Sequence, residues 1–203
     1  YTSDSTPSPG LDRIEYRLVS YENGAIQGEI TDSLPVVNGM AGLVVPAGFK
    51  GQIFARSCDI AGNCSGEVTP KAFVVDKTAP VIEIADDNAT EYRDGEGNPL
   101  YVNDVNITVT IMDYVSGIRR IGYAQSSENA SWDRKEIVLE NAGYRVNDDL
   151  GDGWIVSQTD ANLVTKITKQ FSFSSDDNHI MLAFDAADSS GNTMEGVTAG
   201  PFT

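Results

Sequence analysis

The chain has 203 residues, of which 40% are hydrophobic, and a formal net charge of −16. This length allows one or two domains, each large enough to bury a core of its own. The acidic surface repels phosphate groups, which excludes nucleic acid and anionic membranes as favoured partners. No apolar stretch is long enough to cross a bilayer, so we expect no membrane span in this sequence.

Alternation of apolar and polar residues predicts β-strands from one end of the chain to the other. It runs over residues 14–18, 105–112 and 180–186, and residues 80–85 are also predicted to form a strand. Residues 131–140 fit a short helix and a strand equally well. Frequent turn signals, without an amphipathic helix of normal length, predict an all-β sandwich or barrel.

The two cysteines, Cys58 and Cys64, flank a turn signal at Gly62-Asn63. A zinc site needs about four Cys or His ligands, and the only histidine is His179. The spacing also differs from the C-x-x-C of redox sites. A disulfide across the turn is favoured over two free thiols, and it implies an oxidising compartment.

Two sequence patterns each occur twice, in the same order. Residues 9–16 (PGLDRIEY) match residues 116–123 (SGIRRIGY) at an offset of 107. Residues 59–63 (DIAGN) match residues 188–192 (DSSGN) at an offset of 129. The chain therefore reads as two copies of one module. The second copy has 22 additional residues, which we assign to an insertion near residues 141–162.

These copies predict two domains, at residues 1–77 and 78–203. In the second, strands at 80–85 and 105–112 precede the first shared pattern. The first copy has nine residues there, so we expect it to lack its opening strands. The sequence is then a piece of a longer protein, or another segment supplies those strands.

The shared patterns resemble bacterial immunoglobulin-like (Ig-like) repeats. Residues 76–82 (DKTAPVI) are similar to the opening of such repeats, and Asp113 with residues 116–118 (SGI) is similar to the exit of their second strand. Residues 59–63 and 188–192 are similar to their last hairpin. The resemblance implies tandem Ig-like β-sandwiches, the first incomplete at its N-terminus, in a large extracellular or cell-surface protein of the adhesin type.

The resemblance also implies candidate metal ligands. In some Ig-like arrays, aspartates near module junctions bind Ca²⁺, and Asp59, Asp76, Asp113 and Asp188 match such positions. Carboxylate oxygens suit Ca²⁺, which takes roughly six to eight oxygen ligands. The alternative is that each aspartate shapes its own turn through hydrogen bonds to the backbone. We therefore expect that the chain requires no cofactor, and Ca²⁺ is the only bound ion that the sequence suggests.

Catalysis has little support in the sequence. A Ser-His-Asp or Cys-His site would depend on His179, which lies in the acidic stretch of residues 176–179 before a predicted strand. No glycine-rich phosphate-binding loop is present. We therefore expect that the chain is not an enzyme.

Aromatic residues provide the candidates for ligand binding. Trp154 and Tyr144 lie in the insertion, where a module can acquire a binding loop, and Trp132 and Tyr101 lie outside it. Because Ig-like sandwiches commonly bury a tryptophan, we expect Trp132 in the core, while core packing and ligand binding both remain open for Trp154.

The favoured function is a non-catalytic structural or adhesion module, acting as a spacer in a bacterial surface protein. Its partners would be neighbouring Ig-like modules of the same chain. The alternatives are a module that binds a glycan or a host protein through residues 141–162, and an accessory β-sandwich of a secreted carbohydrate-active enzyme.

Overall fold

A computed structural model describes residues 10–22, 25–69, 71–87, 93–97, 104–127, 132–140, 143–174 and 180–202. The chain divides into two compact units, unit 1 (Tyr1–Val75) and unit 2 (Asp76–Thr203). All regular structure in the described residues is β-strand, and every strand pairing is antiparallel. None of the described residues forms a helix that is long and apolar enough to span a membrane.

Unit 1 forms one four-stranded sheet from its described residues. The strands are β1 (Leu11–Glu22), β2 (Ala25–Pro35), β3 (Phe49–Asp59) and β4 (Phe73–Val75), in the spatial order β2-β1-β3-β4. Its described core is small, and the buried apolar side chains are those of Leu18, Val19, Phe49 and Cys58. Unit 1 therefore has a sheet but no described second layer against which that sheet packs.

Unit 2 forms two four-stranded sheets. The first has the order β5-β6-β10-β9 and the second β12-β11-β7-β8. The strands are β5 (Val81–Asp86), β6 (Val105–Met112), β7 (Ile118–Ser126), β8 (Asp133–Val138), β9 (Ile155–Asp160), β10 (Leu163–Phe173), β11 (Ile180–Asp188) and β12 (Thr193–Phe202). Side chains from both sheets form one buried cluster, as in a β-sandwich.

Strand β6 shows how the sequence pattern positions the core. Ile107, Val109 and Ile111 have no exposed surface, whereas the polar residues between them are half-buried. Branched side chains at every second position fit the pleated, half-buried surface of a strand. The strand has the bounds expected from the sequence, and β5 and β11 overlap the strands predicted at residues 80–85 and 180–186.

Within the segment predicted as a helix or a strand, Asp133–Val138 form strand β8. It pairs with β7 from Arg120–Val138 to Gln125–Asp133 and is an edge strand of its sheet. Its side chains are mostly exposed, and Leu139, directly after the strand, is buried. The expectation that Trp132 lies in the core is wrong: its side chain precedes this edge strand and is 48% exposed.

The second sheet of unit 2 matches the sheet of unit 1 in strand order and in register. Within unit 1, Tyr16 pairs with Ala55 and Glu15 with Arg56 across β1 and β3. Within unit 2, Tyr123 pairs with Phe184 across β7 and β11, at offsets of 107 and 129 from the first pair. The pair of Gly122 with Asp185 is related to that of Glu15 with Arg56 by the same offsets. The offsets in the sequence thus recur in the strand pairing.

Candidate metal centre

Three aspartate carboxylates of unit 2 converge. Asp76 is the first residue of the unit, Asp113 follows β6, and Asp188 ends β11. One oxygen of each carboxylate lies within 4.8 Å of an oxygen of the other two. Asp113 and Asp188 are 5% and 2% exposed, and Asp76 is half-buried. Three of the four aspartates predicted as metal ligands therefore lie together in one site.

The turn after β6 holds Asp113. Its Oδ1 accepts hydrogen bonds from the backbone N–H groups of Val115, Ser116 and Gly117, at 3.1, 2.9 and 2.8 Å. Gly117 has a φ of +78°, which glycine adopts without the steric penalty of a Cβ atom. The Asp-x-x-Ser-Gly pattern therefore fixes one carboxylate oxygen in the turn. No hydrogen bond to Asp113 Oδ2 is found among the described residues.

The hairpin after β11 holds Asp188. Its Oδ1 accepts from the backbone N–H groups of Ser190 and Asn192, at 2.8 and 2.9 Å. Asn192 also donates from its side chain to Asp188 Oδ2 at 2.7 Å. These contacts fold the Asp-x-x-Gly-Asn hairpin and place its first carboxylate at the end of the strand.

Asp76 joins the start of unit 2 to both of these turns. Its Oδ1 accepts from the backbone N–H and the hydroxyl of Thr78, at 2.9 and 2.7 Å. Its Oδ2 accepts from the backbone N–H and the hydroxyl of Ser116, at 3.2 and 2.8 Å. Its backbone carbonyl accepts from the side chain of Asn192 at 3.3 Å. The three carboxylates therefore belong to one hydrogen-bonded network.

No described Lys or Arg forms an ion pair with these three carboxylates. Burial raises the pKa of Asp113, and the negative charges of Asp76 and Asp188 raise it further, against the backbone hydrogen bonds that lower it. Burial also raises the pKa of Asp76, but the hydrogen bonds from Thr78 and Ser116 outweigh it, so this pKa lies below its usual value. Buried carboxylates without a cationic partner repel one another. The donor set fits a hard divalent cation such as Ca²⁺, which carboxylate oxygens bind.

Asp59, the fourth predicted ligand, is not in this group. It lies in unit 1, where it accepts from the backbone and the side chain of Asn63 at 2.8 and 2.9 Å. These contacts reproduce the hairpin of Asp188 and Asn192, and the bond to Asn63 lowers the pKa of Asp59. Among the described residues Asp59 therefore has the turn-shaping contacts but no converging carboxylates.

The predicted disulfide between Cys58 and Cys64 is confirmed. The sulfur atoms are 2.01 Å apart, and the bond closes the hairpin that contains Asp59. Glu15 has a carboxylate oxygen near both sulfur atoms. Because the two sulfurs are bonded to each other, they are not available as thiolate ligands. The group of Glu15, Cys58 and Cys64 is therefore not a metal site.

Trp154 is fully buried in the core of unit 2. Its ring makes edge contacts with Tyr123 and Phe171, at centroid distances of 5.8 and 6.4 Å. Tyr144 is partly buried against the same core. Of the two readings left open for Trp154, core packing describes its place in the structure, because an indole with no exposed surface offers no stacking platform. Tyr101 and His179 lie outside the described residues.

Comparison of the chain with protein-family models, with curated proteins and with solved structures gives no match.

Proposed function

We propose that the chain is a non-catalytic structural piece of an extracellular protein, built from Ig-like modules, and that unit 2 binds Ca²⁺ through Asp76, Asp113 and Asp188. The observation that carries the proposal is the convergence of three carboxylates, two of them buried, without a cationic side chain among the described residues. Such a group is costly to bury unless a cation neutralises it.

The modular part of the proposal is supported by the two matching sheets. The order β2-β1-β3-β4 corresponds strand for strand to β8-β7-β11-β12. Cross-strand pairs correspond at the two offsets found in the sequence. The Asp-x-x-Gly-Asn hairpin closes with the same hydrogen bonds at Asp59 and at Asp188. The disulfide supports an oxidising, extracellular location.

A bound cation would act on the point at which unit 2 begins. Asp76 directly follows Val75, the last residue of β4, and it contacts both the turn at Ser116 and the hairpin at Asn192. Ca²⁺ held by the three carboxylates would remove their repulsion and tie the first residue of the unit to two of its turns. This role suits a spacer, whose function is to hold its shape between other modules.

The proposal is tested by the thermal unfolding of unit 2 in Ca²⁺ and in chelator. A ligand at a hundred times its Kd stabilises the folded state by about 2.7 kcal/mol. For a unit of this size, that corresponds to a rise in Tm of roughly 10 °C. Asp188→Asn removes one of the three negative charges, together with one oxygen that accepts a hydrogen bond in the hairpin, and it should abolish most of this rise.

The chain provides a matched control in Asp59→Asn. This substitution alters the same hairpin in unit 1, where no other described carboxylates converge, so it should leave the Ca²⁺-dependent rise intact. An equal Tm in Ca²⁺ and in chelator for the unsubstituted chain would exclude the calcium site. Equal loss of the response in both variants would show that hairpin integrity, rather than the carboxylate group, is responsible.

A further inference from the structure

Two buried side-chain polar atoms have no hydrogen-bond partner among the described residues, Nε1 of Trp154 and Oγ1 of Thr165. The indole N–H of Trp154 can only donate, and its ring lies among the aromatic side chains of the core, whereas a hydroxyl both donates and accepts. A valine of the same shape would fill the place of Thr165 without the cost of burying a polar group. Packing alone therefore does not account for this hydroxyl.

Thr165 lies directly opposite Asp113, one of the three converging aspartates. Ile111 of β6 pairs with Ile167 of β10. Two residues further along the same ladder, the backbone N–H of Asp113 donates to the carbonyl oxygen of Thr165 at 2.9 Å. Ile111 and Ile167 have no exposed surface. Because side chains alternate along a strand and opposite residues share a face, Asp113 and Thr165 are neighbours on the core-facing side.

A β-bulge frees Thr165 from its other neighbouring strand. Along β9, Val164 is opposite Thr159 and Lys166 is opposite Gln158. Thr165 is therefore the additional residue of the bulge and has no opposite residue in β9. Val164 and Thr165 are both buried, at 4% and 1% exposure. The backbone of Thr165 is placed instead by its hydrogen bond from Asp113.

The turns that hold Asp113 and Asp188 pack against this bulged segment. A Cβ atom on Gly117, in the turn of Asp113, would lie 3.0 Å from Leu163 Cβ and 3.2 Å from the carbonyl oxygen of Val164. The backbone N–H of Ser189, next to Asp188, donates to the carbonyl oxygen of Gly117 at 2.9 Å. The segment that contains Thr165 therefore borders the carboxylate group from the side of the core.

We propose that the hydroxyl oxygen of Thr165 is a further ligand of the cation that Asp76, Asp113 and Asp188 bind. This inference rests on the calcium site proposed above. Ca²⁺ takes roughly six to eight oxygen ligands, so it needs oxygens besides those of three carboxylates that also accept hydrogen bonds. Three carboxylates already exceed the charge of a divalent ion, and an uncharged hydroxyl adds a ligand without adding repulsion. The cation would in turn give the buried hydroxyl a partner.

The test compares two substitutions at Thr165, with Ca²⁺ titrated into the whole chain by calorimetry. Thr165→Val replaces the hydroxyl by a methyl group of similar size, and Thr165→Ser keeps the hydroxyl. Thr165→Val should raise the Kd for Ca²⁺ about tenfold or more, since even residues that only support metal ligands typically have effects of this size. Thr165→Ser should leave the Kd close to that of the unsubstituted chain.

The Tm of unit 2, followed by tryptophan fluorescence, provides a second readout. In chelator, Thr165→Val should unfold at the same temperature as the unsubstituted chain or at a higher one, because valine removes a buried hydroxyl that has no partner. The rise in Tm from chelator to a fixed Ca²⁺ concentration should be smaller in this variant, because it binds the ion less tightly. A hydroxyl with a purely structural role would not give this combination.

The matched control is Thr168→Val, on the same strand. The hydroxyl of Thr168 shares a hydrogen bond with that of Ser157 at 2.7 Å. Its loss should therefore lower the Tm equally in chelator and in Ca²⁺, and it should leave the Kd unchanged.

Four outcomes would overturn the inference. An unchanged Kd in Thr165→Val, with binding lost in Asp188→Asn, would leave the calcium site standing without Thr165. Equal weakening by Thr165→Val and Thr165→Ser would assign the effect to the packing of the side chain. A lower Tm of Thr165→Val in chelator would show that the hydroxyl already has a partner in the protein. No response of the unsubstituted chain to Ca²⁺ would remove the calcium site and this inference together.

Discussion

Gly122 in β7 lies opposite Asp185 in β11, and the contact between them predicts a large effect of one methyl group. A Cβ atom at position 122 would lie 2.8 Å from Asp185 Cγ and closer still to Oδ1. Ordinary contacts of this kind begin at about 3.4 Å, so the carboxylate would have to move. It is held by Arg120 at 3.0 Å and by Arg134 at 2.7 Å, and its side chain is only 12% exposed.

Gly122→Ala should therefore destabilise unit 2 by about 2–4 kcal/mol, through overpacking and loss of ion-pair geometry. The backbone at Gly122 does not have a positive φ, so alanine is otherwise tolerated and reduces the entropy of the unfolded chain. In an Asp185→Ala background, the same substitution should be neutral or stabilising by up to about 1 kcal/mol. The coupling free energy between the two positions, which is the difference between these two effects, is then about 2–5 kcal/mol.

The assay is urea unfolding of the four proteins of this double-mutant cycle, followed by tryptophan fluorescence, since both tryptophans lie in unit 2. Gly95→Ala is the control, because a Cβ atom there meets no neighbour and the φ is not positive. Additive effects of Gly122→Ala and Asp185→Ala would refute the reasoning, since they would show that the carboxylate moves aside freely.

Three further predictions concern the disulfide, the tryptophans and Tyr123. Replacing both Cys58 and Cys64 by alanine should destabilise unit 1 by roughly 2 kcal/mol. The loss should appear as faster hydrogen exchange in β1 and β3, and unchanged exchange would contradict a stabilising role of the disulfide. Acrylamide should quench the exposed Trp132 and spare Trp154, so that Trp132→Phe leaves a blue-shifted emission with little quenching; strong residual quenching would contradict the burial of Trp154. The hydroxyl of Tyr123 donates to Asp152 at 2.6 Å and lowers the pKa of that carboxyl in the folded state. The bond therefore stabilises the folded state at pH values above the pKa that Asp152 has in the unfolded chain. This stabilisation is lost as the pH falls through the lower pKa of the folded state. Tyr123→Phe should raise the pKa of Asp152 toward 3.8 in a carboxyl NMR titration, and an unshifted titration would show that the bond is absent in solution.

The strands were predictable where alternation is strong, but the burial of single aromatic residues was not. Strand β6 follows directly from its branched residues at every second position. Trp132, which we expected in the core, is exposed, because the sequence does not show that β8 is an edge strand. Trp154, for which core packing and ligand binding were both open, is buried. Trp154 ends a tight loop in which the backbone N–H of Leu150 donates to the carbonyl oxygen of Trp154. The indole at the end of this loop lies in the core.

The carboxylate group was predictable residue by residue but not as a site. Each aspartate occurs in a recognisable turn pattern, and Asp59 and Asp188 have the same one. Convergence depends on strand ends that are distant in sequence, at Asp113 and Asp188, and on the start of unit 2 at Asp76. In the sequence, the offset of 107 makes Thr6 the counterpart of Asp113. The first copy therefore has no carboxylate at the corresponding position. Nothing in the sequence indicates the ion pairs of Asp185 with Arg120 and Arg134, which arise from strand register alone.

The calcium site is tested most directly by a crystal structure of the chain grown in Ca²⁺. We expect one ion within about 2.3–2.6 Å of oxygen atoms from Asp76, Asp113 and Asp188, and none at Asp59. A well-ordered structure at saturating Ca²⁺ with only water between the three carboxylates would contradict the proposal.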